Sequence, residues 1–153
     1  MVEFALVLPV FMMVLLGMMT GGLAYSRKLS VSGAAREGAR YGATLPITAS
    51  LPTDAWLAKV AGVTVSSGEG ELAADKPGQS VCVAYVPGAG SPRRRDQVGS
   101  AVSFSDAPCI ADDGRAGETR VQVVTQRASK LEALVWSRDL ALSAQAVARF
   151  EAQ

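Results

Sequence analysis

Few residues in this chain are equipped for chemistry, and their placement narrows what that chemistry is. There is no histidine among the 153 residues. That removes Ser-His-Asp and Cys-His catalysis, His-ligated zinc and haem, and the commonest general base near neutral pH. Serines are plentiful, but no GxSxG elbow or SxxK motif sets one up as a nucleophile. Asp106 and Asp112 could be paired for hydrolysis, yet nothing in the sequence fixes their spacing. Asp112-Asp113-Gly114 lacks the alternating oxygen ligands of a calcium loop and reads as a turn. Arg93, Arg94 and Arg95, beside Pro92, could meet phosphates or an anionic polymer; in a Gly/Pro-rich loop such a triplet reads first as solvated surface. The sequence thus offers no catalytic residue, no metal site and no cofactor, and the chain is read as a non-enzyme.

Two cysteines and one carboxylate remain. Cys82 sits in an apolar run and Cys109 in APCIADDG. Closing the loop of about 28 residues between them contributes on the order of 3–4 kcal/mol by a chain-entropy estimate. The alternative is two unrelated buried thiols. A bridge needs an oxidising compartment, and two thiols without histidine leave zinc short of ligands. Glu3 stands at the edge of the longest apolar run. A carboxylate there either flanks an anchor in the lipid headgroups or, inside a packed fibre, demands a paired charge.

The elements that position these residues follow from an uneven distribution of charge. Hydrophobic residues make up 49% and charged residues 19%, with a net charge of +1. That balance opposes disorder and gives no general reason to bind nucleic acid. The 23 residues from Phe4 to Ser26 carry no charge at all. As a helix they span roughly 34 Å, enough for a hydrocarbon core of about 30 Å. The run is too long for a secretory h-region and ends in no clean small-residue cleavage site. Pro9 should bend this helix near its start. Gly17 and Gly21 form a GxxxG pair, and Ala34-Gly38-Gly42 and Ala35-Ala39-Ala43 repeat the spacing. Three such series point to close helix–helix packing.

The helix should continue past the membrane. No proline interrupts the chain until Pro46, so the helix is expected to end between Ala43 and Leu45. Glu37 and Arg40 can pair at i,i+3 on its polar side, and the other side needs a surface, most simply a sheet in the same chain. Beyond a linker at Ile47 to Pro52, Thr53 or Asp54 could cap a short helix over Ala55 to Ala61. Strands are expected at Val63–Ser66, Gln79–Val86, Thr119–Gln126 and Leu140–Phe150, although the alanines of the last would also permit a helix. In the last, Leu140, Leu142, Ala144, Ala146, Ala148 and Phe150 share one face. Pro87–Gly99 and Asp112–Gly117 read as loops. The plan is α+β: a long N-terminal helix followed by a small antiparallel sheet of three or four strands. Residues 1–26 form the transmembrane stem, 27–45 its amphipathic continuation, and 46–153 a small extracytoplasmic domain.

VEFALVLPVFMMVLLG followed by AAREGARYGA resembles the N-terminal signature of the TadE-like pilins (pseudopilins) of the tight-adherence pilus, a relative of type IV pili. The closing TRVQVVTQRASKLEALVWSRDLALSAQAVARFE resembles that family's last strands more loosely. The resemblance implies a bacterial structural subunit, held by one span in the inner membrane and then assembled into a surface filament for attachment. Its implied partners are other pilin subunits, the inner-membrane assembly machinery, membrane lipid before assembly, and a prepilin peptidase acting on the precursor. It implies assembly roles for Glu3, Phe4 and Pro9, alongside the Gly17 and Gly21 pair. In the family a basic leader ends in glycine and the glutamate is fifth after the cut. Here Glu3 is third, so a leader is expected upstream of Met1. Arg27 and Lys28 follow the stem, and by the positive-inside rule they alone would hold the domain in the cytoplasm; a basic leader reverses that balance. The alternative function is a monomeric, membrane-anchored extracytoplasmic binding module, for which the helix is only a tether.

Overall fold

Helix α1 runs unbroken from Val2 to Thr44 in the computed structural model, which describes residues 2–115, 117–133 and 136–151, with side chains at 6–115, 117–130 and 138–151. Pro9 is accommodated inside the helix. The end falls where Pro46 requires it: the Leu45 N–H donates to the Tyr41 carbonyl at 3.1 Å and the chain then turns away. From Val31 onward the buried positions are Val31, Ala34, Ala35, Gly38, Ala39, Gly42 and Ala43. That i, i+3, i+4, i+7 spacing is one face of a helix. The opposite side carries Arg36 and the Glu37–Arg40 pair, 3.4 Å apart as the spacing suggests.

The buried face of α1 meets two partners. One is α2, Thr53–Ser66, and the other is a five-stranded antiparallel sheet. The strands are β1 Ser80–Val86, β2 Arg93–Val98, β3 Ala101–Ser105, β4 Arg120–Ala133 and β5 Trp136–Arg149, in the order β3-β2-β1-β4-β5. The α+β expectation therefore holds. On the sheet's front face Val81, Val83 and Tyr85 of β1 lie beside Thr125, Val123 and Val121 of β4, continued on β5 by Ala144, Ala146 and Ala148. Together with Trp56, Leu57, Val60 and Ala61 of α2 these residues close the core over Val31, Ala34, Ala35 and Ala39. Trp56, Tyr85 and Phe150 pack edge-to-face, with centroids 5.5 to 6.4 Å apart. The Trp56 indole N–H donates to the Leu45 carbonyl at 2.9 Å, satisfying an acceptor at the end of α1.

Four expectations are corrected. Val63–Ser66 is not a strand but the last turn of α2. Its β-branched residues suggest a strand, yet Trp56, Leu57, Val60, Ala61 and Thr64 are buried at helical spacing, and that burial outweighs local propensity. Neither Thr53 nor Asp54 caps α2; Pro52 holds the N-cap position in an extended conformation. The segment read as a loop at Pro87–Gly99 contains β2, and β3 follows it, so the sheet has five strands rather than three or four. Three consecutive arginines hide the alternation that marks a strand.

The lower small-residue series makes the expected close helix–helix contact, and makes it with α2 of the same chain. A Cβ added at Gly38 would fall on the Thr64 hydroxyl, and one at Gly42 would crowd Val121, Trp56 and Val60 at 3.0 to 3.2 Å. The lower series therefore serve packing within the chain. Gly33, on the outer side of the same helix, faces open space. Gly38→Ala should destabilise the detergent-solubilised chain by about 1–3 kcal/mol through overpacking. Gly33→Ala should stabilise it by up to about 1 kcal/mol, because glycine is a poor helix residue. Thermal melts of the two variants beside the parent check the pair; equal shifts would refute this division of the helix.

Candidate functional site

The back face of the sheet explains the cysteines. Cys82, Ala84 and Val86 of β1 stand opposite Val124, Gln122 and Arg120 of β4, all on the side away from the helices. The segment after β3 crosses this face and is fastened there. Cys82 and Cys109 are joined by a disulfide, with Cα atoms 6.0 Å apart. Fully buried Gln122 accepts from the Ile110 N–H at 3.0 Å and donates to the Ile110 carbonyl at 3.1 Å and to Asp113 at 2.7 Å. The Arg120 guanidinium donates to the same Asp113 carboxylate at 2.6 Å. Arg94 reaches the Pro108 carbonyl at 3.2 Å. One covalent bond and a polar network thus hold a segment that has little apolar surface of its own. The network's buried members were not legible in the sequence, because Gln122 and Asp113 sit among ordinary polar residues.

The arginine triplet is placed by strand alternation: Arg93 and Arg95 point to the helix side and Arg94 to the back. Arg93 forms a fork on Asp54 of α2 at 2.9 and 3.1 Å, a further bond to Asp106 at 2.9 Å, and lies 5.6 Å from the centre of the Phe104 ring. The hydrogen bond from Arg93 holds the Asp54 carboxyl below its ordinary range. Arg94 pairs with Asp96 and Ser105, and Arg95 with Gln97. Each arginine has its partners inside the chain, so the triplet ties β2 to its neighbours instead of presenting a free basic patch. Asp106 serves Arg93, while Asp112 accepts from the Gly114 N–H at 3.0 Å in a turn, so the two carboxylates are engaged separately.

The stem is the surface that the chain leaves unused. From Leu6 to Met19 its side chains project without cover: Leu6 is 71% exposed and Met18 69%. Its most apolar window has a mean hydropathy of 2.1, and none of that window is buried. The hydroxyl of Thr20 bonds back to the Leu16 carbonyl at 2.9 Å, so this polar side chain is satisfied within the helix. Pro9 is exposed, and Gly17, Gly21 and Gly22 have nothing within 4 Å of a built Cβ. Glu3 and Phe4 lie in the first turns of α1; their side chains fall outside the described ones. The structure therefore leaves Pro9, Gly17 and Gly21 on an open apolar rod and sets Cys82 and Cys109 on the far side of the sheet.

Residues 1–40 match the family model of TadE-like proteins, a family associated with the tight-adherence pilus and its N-terminal membrane helix. The match covers the stem and most of the face that α1 buries. No curated protein and no solved structure matches the chain.

Two expectations follow for the back face. Cys109→Ser should lower stability by about 2–4 kcal/mol, with the bridge verified by mass spectrometry of non-reduced protein. Free thiols in protein recovered from the cell surface would contradict it. Burial pulls the Asp113 carboxyl upward, but bonds from Gln122, Arg120 and the Arg115 N–H outweigh it, and the net direction is downward. A carboxyl depressed in the folded state stabilises above its unfolded pKa of about 4 and loses that contribution as pH falls through the folded value. The parent should therefore lose melting temperature more steeply below about pH 4 than Asp113→Asn does. Parallel acid limbs in the two melting profiles would show that Asp113 carries no such linkage.

Proposed function

We propose that this chain is a structural subunit, a pilin or minor pilin, of a type IV-like tight-adherence pilus. The observation that carries the proposal is the division of α1. Its lower face is consumed by α2 and the sheet, whereas the described stem residues from Leu6 to Met19 are exposed all round the helix. Such a stem is compatible with residence in the inner membrane before assembly, where lipid covers it. A plain tether would need nothing more. The stem also carries the open Gly17–Gly21 strip, which lets a second helix backbone approach closely, and the family match falls on this segment. In the filament, stems bundle with stems and the five-stranded domain faces outward. A prepilin peptidase and the inner-membrane assembly machinery handle the precursor.

Glu3 has a defined part in this reading. Packed among apolar stems, its carboxylate is stable only beside a positive charge, and the N-terminal amine of a neighbouring subunit supplies one. Glu3→Ala makes the stem more apolar and leaves anchoring unimpaired. In a filament it strands the neighbour's amine, at roughly 3–5 kcal/mol for a half-broken buried pair. Gly21→Leu acts differently, by holding stems apart while keeping the apolar length.

Both variants should reach the membrane at parental levels and be missing from sheared surface filaments, as read by blotting the two fractions. Parent protein absent from the sheared fraction of piliated cells would point to the tether instead. So would both variants appearing there at parental levels.

A further inference from the structure

Where the stem meets the domain, the sheet and α1 enclose a cleft of about 370 Å³. Its α1 wall is Thr20, Leu23, Ala24 and Arg27, and its other wall is the end of β4 with Arg127, Ser129 and Lys130. We propose that this cleft binds the phosphate-bearing headgroup of an anionic glycerophospholipid. The proposal rests on the stem spanning a membrane and is independent of whether the chain goes on to build a filament.

The position fits that ligand. Arg27 is the first charge after the uncharged run, so it leaves the hydrocarbon at the level of the headgroups. The apolar Leu23 and Ala24 lie one turn deeper, where a glycerol backbone and the first acyl carbons would sit. The chemistry fits as well. Arg127 is 9% exposed and forms an ion pair with Glu71, yet its Nε has no acceptor among the described residues. Arg27 donates to the Ser129 hydroxyl at 3.2 Å and adds its own charge beside Arg127. Burial, and then the nearby Arg27 charge, draw Arg127 below its ordinary value, so the pair gains from an anion between them. Lys130 faces Asp139 across the strand pair, with no ion pair recorded for it among the described residues. Against these three cations stand two carboxylates, Glu71 in contact with Arg127 and Asp139 opposite Lys130, which leaves Arg27 as the excess positive charge. A guanidinium presents a planar fork that matches phosphate oxygens, and basic residues at a membrane surface are drawn to anionic lipid. A solvated basic rim would not require an arginine this deeply covered.

The test uses the full-length chain in zwitterionic detergent, given equal amounts of phosphatidylglycerol and phosphatidylcholine, with retained lipid counted by native mass spectrometry. The parent should prefer phosphatidylglycerol by about tenfold, and R27Q/K130Q should fall to near parity. Arg127 is left intact because its loss would leave the half-buried Glu71 without its ion-pair partner. The double variant should keep the parental melting temperature and disulfide, and should still float with vesicles, which separates loss of the site from loss of fold or insertion. Equal retention of the two lipids by the parent would overturn the proposal and leave the cations to a protein carboxylate. A preference unchanged in the double variant would overturn it too. Displacement of the lipid by millimolar inorganic phosphate would assign the cleft to the free ion instead.

Discussion

The side chains of α1 from Leu6 to Leu23 stand outside any core this chain builds, and water does not tolerate a rod of that size and apolarity. At roughly 25 cal/mol per Å², covering such a surface is the largest single stabilisation open to the molecule. The chain does not collect it by folding. The sheet and α2 bury the helix only from Val31 on, with the sheet touching it as far up as Arg27, and the stem from Leu6 to Met19 is left uncovered. The remaining architecture is arranged around one helix that must suit two surroundings. Its stem is apolar all round. Its base is one-sided, with a narrow small-residue face that lets α2 and β4 come close.

That closeness accounts for what looked like one motif in three copies. Gly17 and Gly21 meet empty space, while Gly38 and Gly42 meet Thr64, Val60, Trp56 and Val121. Spacing alone cannot separate a helix–helix contact between chains from one within a chain, because both ask for the same small residues. The partner decides, and the partner is fixed only when α2 folds back through the turn at Pro46 to Pro52. On the other side of the sheet the same small domain solves a second shortage. It has too few apolar residues to bury both faces of β1 and β4, so the Cys82–Cys109 bridge and the Asp113, Arg120 and Gln122 network close the back.

Much of this was legible from residues. The uncharged run and Pro46 placed α1 by its length and its stop, and the alternation from Leu140 to Phe150 placed most of β5. The cysteine pair was legible as one of two alternatives. What stayed hidden lacked a period of its own. Arg93 to Arg95 form a strand whose faces are distinguished only by what each arginine meets: Asp54 and Asp106 for Arg93, Asp96 and Pro108 for Arg94. Val63 to Ser66 favour a strand locally and are helical because Thr64 must reach the α1 contact. The Arg27, Arg127 and Lys130 cleft joins residues about a hundred positions apart, a neighbourhood that only the fold creates.

The central claim is that the stem ends up against other stems and not only in lipid. A photo-crosslinking amino acid placed at Leu16, and as a control at Arg36 on the exposed side of the base, reads this directly. Sheared surface material irradiated before denaturation should show subunit-to-subunit adducts from position 16, while the same position in the membrane fraction gives lipid adducts. Lipid adducts alone from position 16 in every fraction would contradict the account and leave α1 a tether.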